Sequence, residues 1–127
     1  MEIGTNDCWK IYGTTNILSA YGVVVDQFRA QNPNAIVFVA QITPLRPMGC
    51  AGCEGWAEDL NSHSPAWATG KATATSPIHV VNVWASLNQA TYLPNSTFAE
   101  DGVHPLNPDA QPMGDTRYAG ITAQGLR

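Results

Sequence analysis

Ala35-Ile36-Val37-Phe38-Val39-Ala40-Gln41-Ile42 is the stretch that decides the fold. It is continuously apolar from Ala35 to Ala40, with β-branched residues at its centre. Unbroken rather than alternating hydrophobicity suits a strand buried on both faces, as in a parallel sheet. Asn32-Pro33-Asn34 precedes it and Thr43-Pro44 closes it, both turn-forming. Upstream, Ile17, Leu18, Tyr21, Val24, Val25 and Phe28 recur at helical spacing and predict a helix from about Asn16 to Ala30. Downstream, residues 44–53 form a loop rich in Pro, Gly and Cys. Trp56, Ala57 and Leu60 begin a weaker helical pattern that extends past Pro65 through Ala66-Trp67-Ala68. Ile78-His79-Val80-Val81-Asn82-Val83 reads as a second strand. A loop without pattern runs from Ser86 to about Pro112, and loops this long are usually functional or disordered. Asp115 would cap a last helix carrying Tyr118, Ile121 and Leu126. Met1–Ile3 reads as the end of an earlier strand. Strand and helix thus alternate, which predicts a right-handed parallel α/β sheet with helices on its faces.

The chain has 127 residues, enough for one ordinary domain. Hydrophobic residues at 44% and charged residues at 13% make it globular rather than disordered. Its formal net charge is -4, and Lys10, Arg29, Arg46, Lys71, Arg117 and Arg127 are scattered, which argues against nucleic acid as a partner. The longest apolar run is too short to span a bilayer, so no membrane partner is expected. No secretory leader pattern follows Met1. Asn95-Ser96-Thr97 is an N-glycosylation sequon and points mildly to secretion.

Two short motifs carry chemistry. Gly4-Thr5-Asn6-Asp7 follows the first strand, and Asp101-Gly102-Val103-His104-Pro105 follows the last. In a parallel sheet both lie at the carboxyl edge, where α/β sites form. Ester cleavage by a serine needs a base to take its proton, a carboxylate to hold that base, and donors for the tetrahedral oxyanion. His104 suits the base because imidazole titrates near about 6.5. Asp101 can meet one ring nitrogen if the loop turns at Gly102. Asn6 offers a neutral amide donor. Either motif alone is more often an ordinary turn; their joint placement is what points to a site.

Glu2 to Asp7 resembles the third conserved block of SGNH (GDSL-type) hydrolases, and Asp101 to Pro105 resembles their fifth. Asn32 to Val37, Ile42-Thr43-Pro44, Leu60-Asn61, Pro65 to Ala68, Ser76-Pro77-Ile78, Val80-Val81 and Trp84 are similar to the carbohydrate-esterase branch, which includes acetylxylan esterases. The resemblance runs from Glu2 to about Ile121. It implies a three-layer α/β/α flavodoxin-like fold with strand order 2-1-3-4-5. Of this the chain holds strands 3 to 5, with the N-terminal strands and helices missing. It implies Asn6 in the oxyanion hole, Asp101 as orienting acid and His104 as base, with no cofactor and no metal. It also implies a secreted parent that acts on a small acyl ester or acetylated polysaccharide.

The family's Gly-Asp-Ser block and its second block have no match, so residues 1–127 read as a partial domain with no nucleophile of their own. Ser19, Ser62, Ser64, Ser76, Ser86 and Ser96 all stand in other contexts. The expected activity is serine acyl transfer with the serine supplied from outside this chain, which alone would be inactive. The rival expectation is a non-catalytic binding or interaction fragment. Losing the strand beside strand 3 would leave an open sheet edge and invite self-association. Relatives have a shorter linker after the His-Pro.

Cys8, Cys50 and Cys53 make an odd count. Cys50-Ala51-Gly52-Cys53 has redox and half-zinc spacing, but no second pair exists, and His63 and His79 lack ligand spacing. Neighbouring parallel strands would bring the loop after Met1–Ile3 beside the loop after Ile42, so Cys8 is expected to pair with Cys50 or Cys53. Trp9 and Trp84 could line a sugar site, with core packing at least as good an account of Trp84. Trp67 and His79 read as packed residues, and His63 as a solvated one.

Overall fold

A computed structural model describes residues 1–87 and 101–126. The elements are α1 (Thr5–Trp9), α2 (Thr14–Gln31), β1 (Val37–Ala40), α3 (Cys53–Lys71), β2 (Ile78–Val81), a 3-10 turn (Trp84–Ser86) and α4 (Asn107–Thr122). β1 and β2 pair in parallel, with Val37 opposite Ile78 and Ala40 opposite Val81.

The other edge of β1 is occupied by Met1. Its amino group donates to Phe38 O at 2.5 Å, and Ala40 N donates to Met1 O at 2.8 Å. Two such bonds straddling Val39 are the pattern of a parallel ladder. The strand expected at Met1–Ile3 is therefore reduced to one residue in strand register.

Side chains on a strand alternate between faces. Val37, Val39 and Ile78 enter one core with Leu18, Tyr21 and Val25 of α2 and Ala57 and Leu60 of α3. Ala40 and Val81 enter a second core with Met113 of α4, and Phe38 packs against it. Gly120 lies against Val81, where an added Cβ would sit 2.9 Å from Val81 Cγ2. Helices thus cover both faces, and the layers are α/β/α as expected.

Pro65 lies inside α3. A proline has no N–H, so the carbonyl four residues earlier loses its helical partner. That carbonyl belongs to Asn61, and it accepts instead from Gln41 Nε2 and Ser64 Oγ, each at 2.9 Å. The buried Asn61 side chain also pairs with both sides of the Ile42 backbone, accepting from Ile42 N and donating to Ile42 O at 2.9 Å each. The apolar run read as strand through Ile42 stops at Ala40 for this reason: Ile42 gives its backbone groups to α3 instead of to a neighbouring strand.

Two further expectations need correction. The last helix starts at Asn107 rather than Asp115, because Pro108 stands in its first turn, where the missing N–H costs nothing. The disulfide joins Cys50 to Cys53, whose Cα atoms are 5.5 Å apart, and Cys8 is a free, buried thiol. Cys8 sits on α1 with its Sγ 3.8 Å from Trp56 O, turned into the core rather than toward the loop after β1. The Asn95-Ser96-Thr97 sequon and Ser96 lie outside the described residues.

Candidate active site

The segment from Asp101 to His104 is a tight turn held by its own acid. Asp101 Oδ1 accepts from the backbone N–H of Val103 at 2.9 Å and of His104 at 2.8 Å. Its other oxygen, Oδ2, meets His104 Nδ1 at 2.6 Å. Gly102 makes the turn possible with φ of 73°, a left-handed conformation that side chains resist. Gly102 also approaches the backbone beneath it. Arg46 N donates to Gly102 O at 2.8 Å, and a Cβ on Gly102 would fall 2.2 Å from Arg46 O. Val103 and Leu45 are both buried in the core below the turn.

The backbone N–H of His104, its ring and the N–H of Val103 hold the Asp101 carboxyl well below the ordinary carboxylate value, at about 2. Near neutrality Asp101 is therefore ionised and can only accept. Nδ1 must carry the ring proton, which leaves Nε2 of a neutral imidazole as the nitrogen able to take another. His104 is largely exposed, and no serine hydroxyl among the described residues bonds to it.

Asn6 is placed in the first turn of α1, directly after the Met1 segment, and its side chain is exposed. Its amide makes no hydrogen bond among the described residues. Gly4, with φ of 114°, turns the chain into α1. Its Cα packs so closely against Tyr21 that an added Cβ would lie 2.7 Å from the phenol oxygen. That phenol donates to Ile3 O, and burial pushes its pKa upward. α1 and the Asp101 turn both follow the carboxyl ends of parallel chain segments. The structure joins Asp101 to His104 directly and gives Asn6 no direct bond to either.

Among the other candidates, Trp9 is exposed and Trp84 packs against the core. Trp67 meets Tyr21 edge to face at 5.6 Å. His79 stacks on Phe38 at 5.2 Å. His63 is exposed and bonds to the Asp59 backbone carbonyl of its own helix at 2.8 Å. No group of three metal-ligating side chains occurs among the described residues.

Sequence reasoning passed over Arg46. Its guanidinium pairs with Glu54 in the first turn of α3 while its backbone carries the Gly102 contact. Nothing in a loop of Pro, Gly and Cys marks an arginine as a support for a turn more than fifty positions away.

Solved structures share this architecture. A carbohydrate esterase family 3 protein from Talaromyces cellulolyticus superposes with a TM-score of 0.77 at 23% identity, over 97% of this chain and 56% of that one. The chain has an esterase-like α/β fold. An acetyl esterase mutant with acetate ion, a serine in it replaced by alanine, superposes with a TM-score of 0.69 at 23% identity, over 89% of this chain and 49% of that one. At this identity the likeness is one of fold. The chain spans about half the length of the esterase structures it matches. No protein-family model matches it, and no characterised protein matches it by sequence. No helix among the described residues is long and apolar enough to cross a membrane.

Proposed function

We propose that this chain is part of a secreted SGNH-type ester hydrolase acting on acetylated carbohydrate or a similar small acyl ester. The observation that carries the reading is the Asp101–His104 pair, with its ionised acid on Nδ1 and Nε2 without a partner among the described residues, in the chain after β2 of an esterase-like fold. In the reaction, Nε2 of His104 takes the proton of a serine hydroxyl as that oxygen attacks the acyl carbon. Asp101 holds the ring and stabilises the imidazolium that forms. The Asn6 amide donates to the oxyanion. His104 then returns the proton to the leaving alcohol, and water repeats the cycle on the acyl-enzyme. The serine comes from polypeptide beyond residues 1–127, which form a partial domain with the third and fifth family blocks. The Met1 edge of the sheet is where that polypeptide adds its strand; without it, a second copy of the chain takes the same edge.

A second reading, a non-catalytic binding fragment, draws on one observation: no serine hydroxyl among the described residues bonds to His104. Hydrolysis of a chromogenic acetate ester separates the two. The chain alone is expected to be inactive. Mixed with a polypeptide bearing the Gly-Asp-Ser block and its strand, it should gain activity that His104→Ala abolishes. Association without activity would favour the binding fragment. His104-dependent hydrolysis by the chain alone would overturn the external serine.

A further inference from the structure

We infer that Arg46, clamped in place by the Cys50–Cys53 disulfide, positions the Asp101–His104 turn, so that the pairing of acid and base depends on the redox state of that loop. The proposal builds on the catalytic reading of the pair but concerns its geometry, which is measurable without turnover.

The connection can be followed bond by bond. Residues 45–47 are the floor of the turn. Arg46 N donates to Gly102 O at 2.8 Å, and Gly102 lies so close to Arg46 O and Pro47 N that no Cβ fits between them. Arg46 is tied to α3 through its ion pair with Glu54, which follows Cys53 directly in the helix. Pro47 is tied to the disulfide loop, since Cys50 N donates to Pro47 O at 3.2 Å. Cys53 is fully buried at the start of α3, whereas Cys50 is partly exposed. The disulfide therefore pins the far end of the 46–50 segment to a rigid helix. Arg46 Nε is buried without a hydrogen-bond partner among the described residues, and the arginine's contacts are the Glu54 ion pair and the backbone bond to Gly102.

Reduction releases that pin. A small dithiol attacks the sulfur of the partly buried Cys50, the S–S bond breaks, and the mixed disulfide resolves to the reductant's own cyclic disulfide. Two electrons and two protons pass to the protein, leaving thiols at Cys50 and Cys53. The bridge closes a loop of only a few residues, so its loss changes the unfolded ensemble little. The consequence falls on the local segment, and through Arg46 on the turn above.

The test is NMR of the intact chain, labelled on histidine rings and aspartate carboxyls, oxidised and then reduced with excess dithiothreitol, with thiol counting to confirm reduction. Among the described residues, the titratable groups at the turn are Asp101 and His104 themselves, with Arg46 and Glu54 beneath. The Asp101 midpoint should move from about 2 toward the ordinary 3.8 on reduction. The His104 ring should lose its Nδ1–H hydrogen-bond signature, while His79 in β2 keeps its signals. An Asp101 midpoint unchanged in fully reduced, folded protein overturns the proposal. If reduction unfolds the chain, Glu54→Ala in the oxidised protein replaces it. That variant frees Arg46 with the bridge intact and should move Asp101 in the same direction, whereas no movement overturns the proposal. Failure of the complementation assay would remove the esterase reading and leave this titration result standing.

Discussion

Asp101 concentrates the electrostatics of the turn in one carboxylate. Its folded pKa is depressed, so the support it gives the turn is complete above the ordinary carboxylate value of 3.8 and is lost as pH falls through about 2. Carboxyl titration by NMR should show this late protonation. Asp101→Asn should detach the ring from its acid without unfolding the chain, seen as loss of the Nδ1–H signal. Gly102 is the steric counterpart. Alanine there meets both a left-handed backbone, which costs of order 1–3 kcal/mol, and the Arg46 carbonyl. Gly102→Ala is expected to lower the unfolding free energy measured by urea denaturation by at least that much and to lift the turn off residues 45–47. Cys8 is the quiet residue. Burial first, then the charges of Asp7 and Asp59, push its thiol up to about 11. It should resist alkylation at neutral pH until the chain unfolds, as thiol-labelling kinetics would show.

At the scale of elements, Asn61 joins α3 to the end of β1. It satisfies both Ile42 backbone groups with its side chain and passes its own carbonyl, freed by Pro65, to Gln41 and Ser64. Asn61→Ala would leave the buried Ile42 N–H and C=O unpaired, at a cost of about 2–3 kcal/mol, measurable as a fall in chemical-denaturation stability with the far-UV spectrum retained. The sequence carried the period of α2 and the buried character of β1 and β2 clearly, because both follow from where apolar residues repeat. It did not reveal that Ile42 leaves the sheet, since an apolar run looks the same whether a strand or an asparagine takes its backbone. α1 is a single short turn, too brief for any period. The start of α4 was hidden because Pro108 and Pro112 look like breakers until their position in the helix is known. The Asp101 turn was legible from Gly102 between an acid and an imidazole. Its floor at Arg46 was not, because nothing local links the two. The cysteine pairing was misjudged because proximity of loops says nothing of which way a helical thiol points.

At the scale of the whole molecule, only one residue, Met1, pairs with the outer edge of β1 among the described residues. Phe28 and Ile36 are exposed beside Met1 and Phe38, around a cavity of about 390 Å³. An apolar, hydrogen-bonding edge of this kind recruits another strand. Sedimentation of the isolated chain should show concentration-dependent association, and Ile36→Lys should suppress it; a monomer at every concentration would speak against pairing there. The parallel ladder has a further consequence, one of time. Val37 can meet Ile78 only after all of α3 has been folded back across the sheet, and Met1 can meet β1 only after α2 has done the same. Pairings that join distant parts of a chain form late. Helix signal should therefore appear well before the sheet cores become protected, and a stopped-flow refolding trace paired with pulsed hydrogen exchange should resolve an interval in which the helices exist and the strands do not.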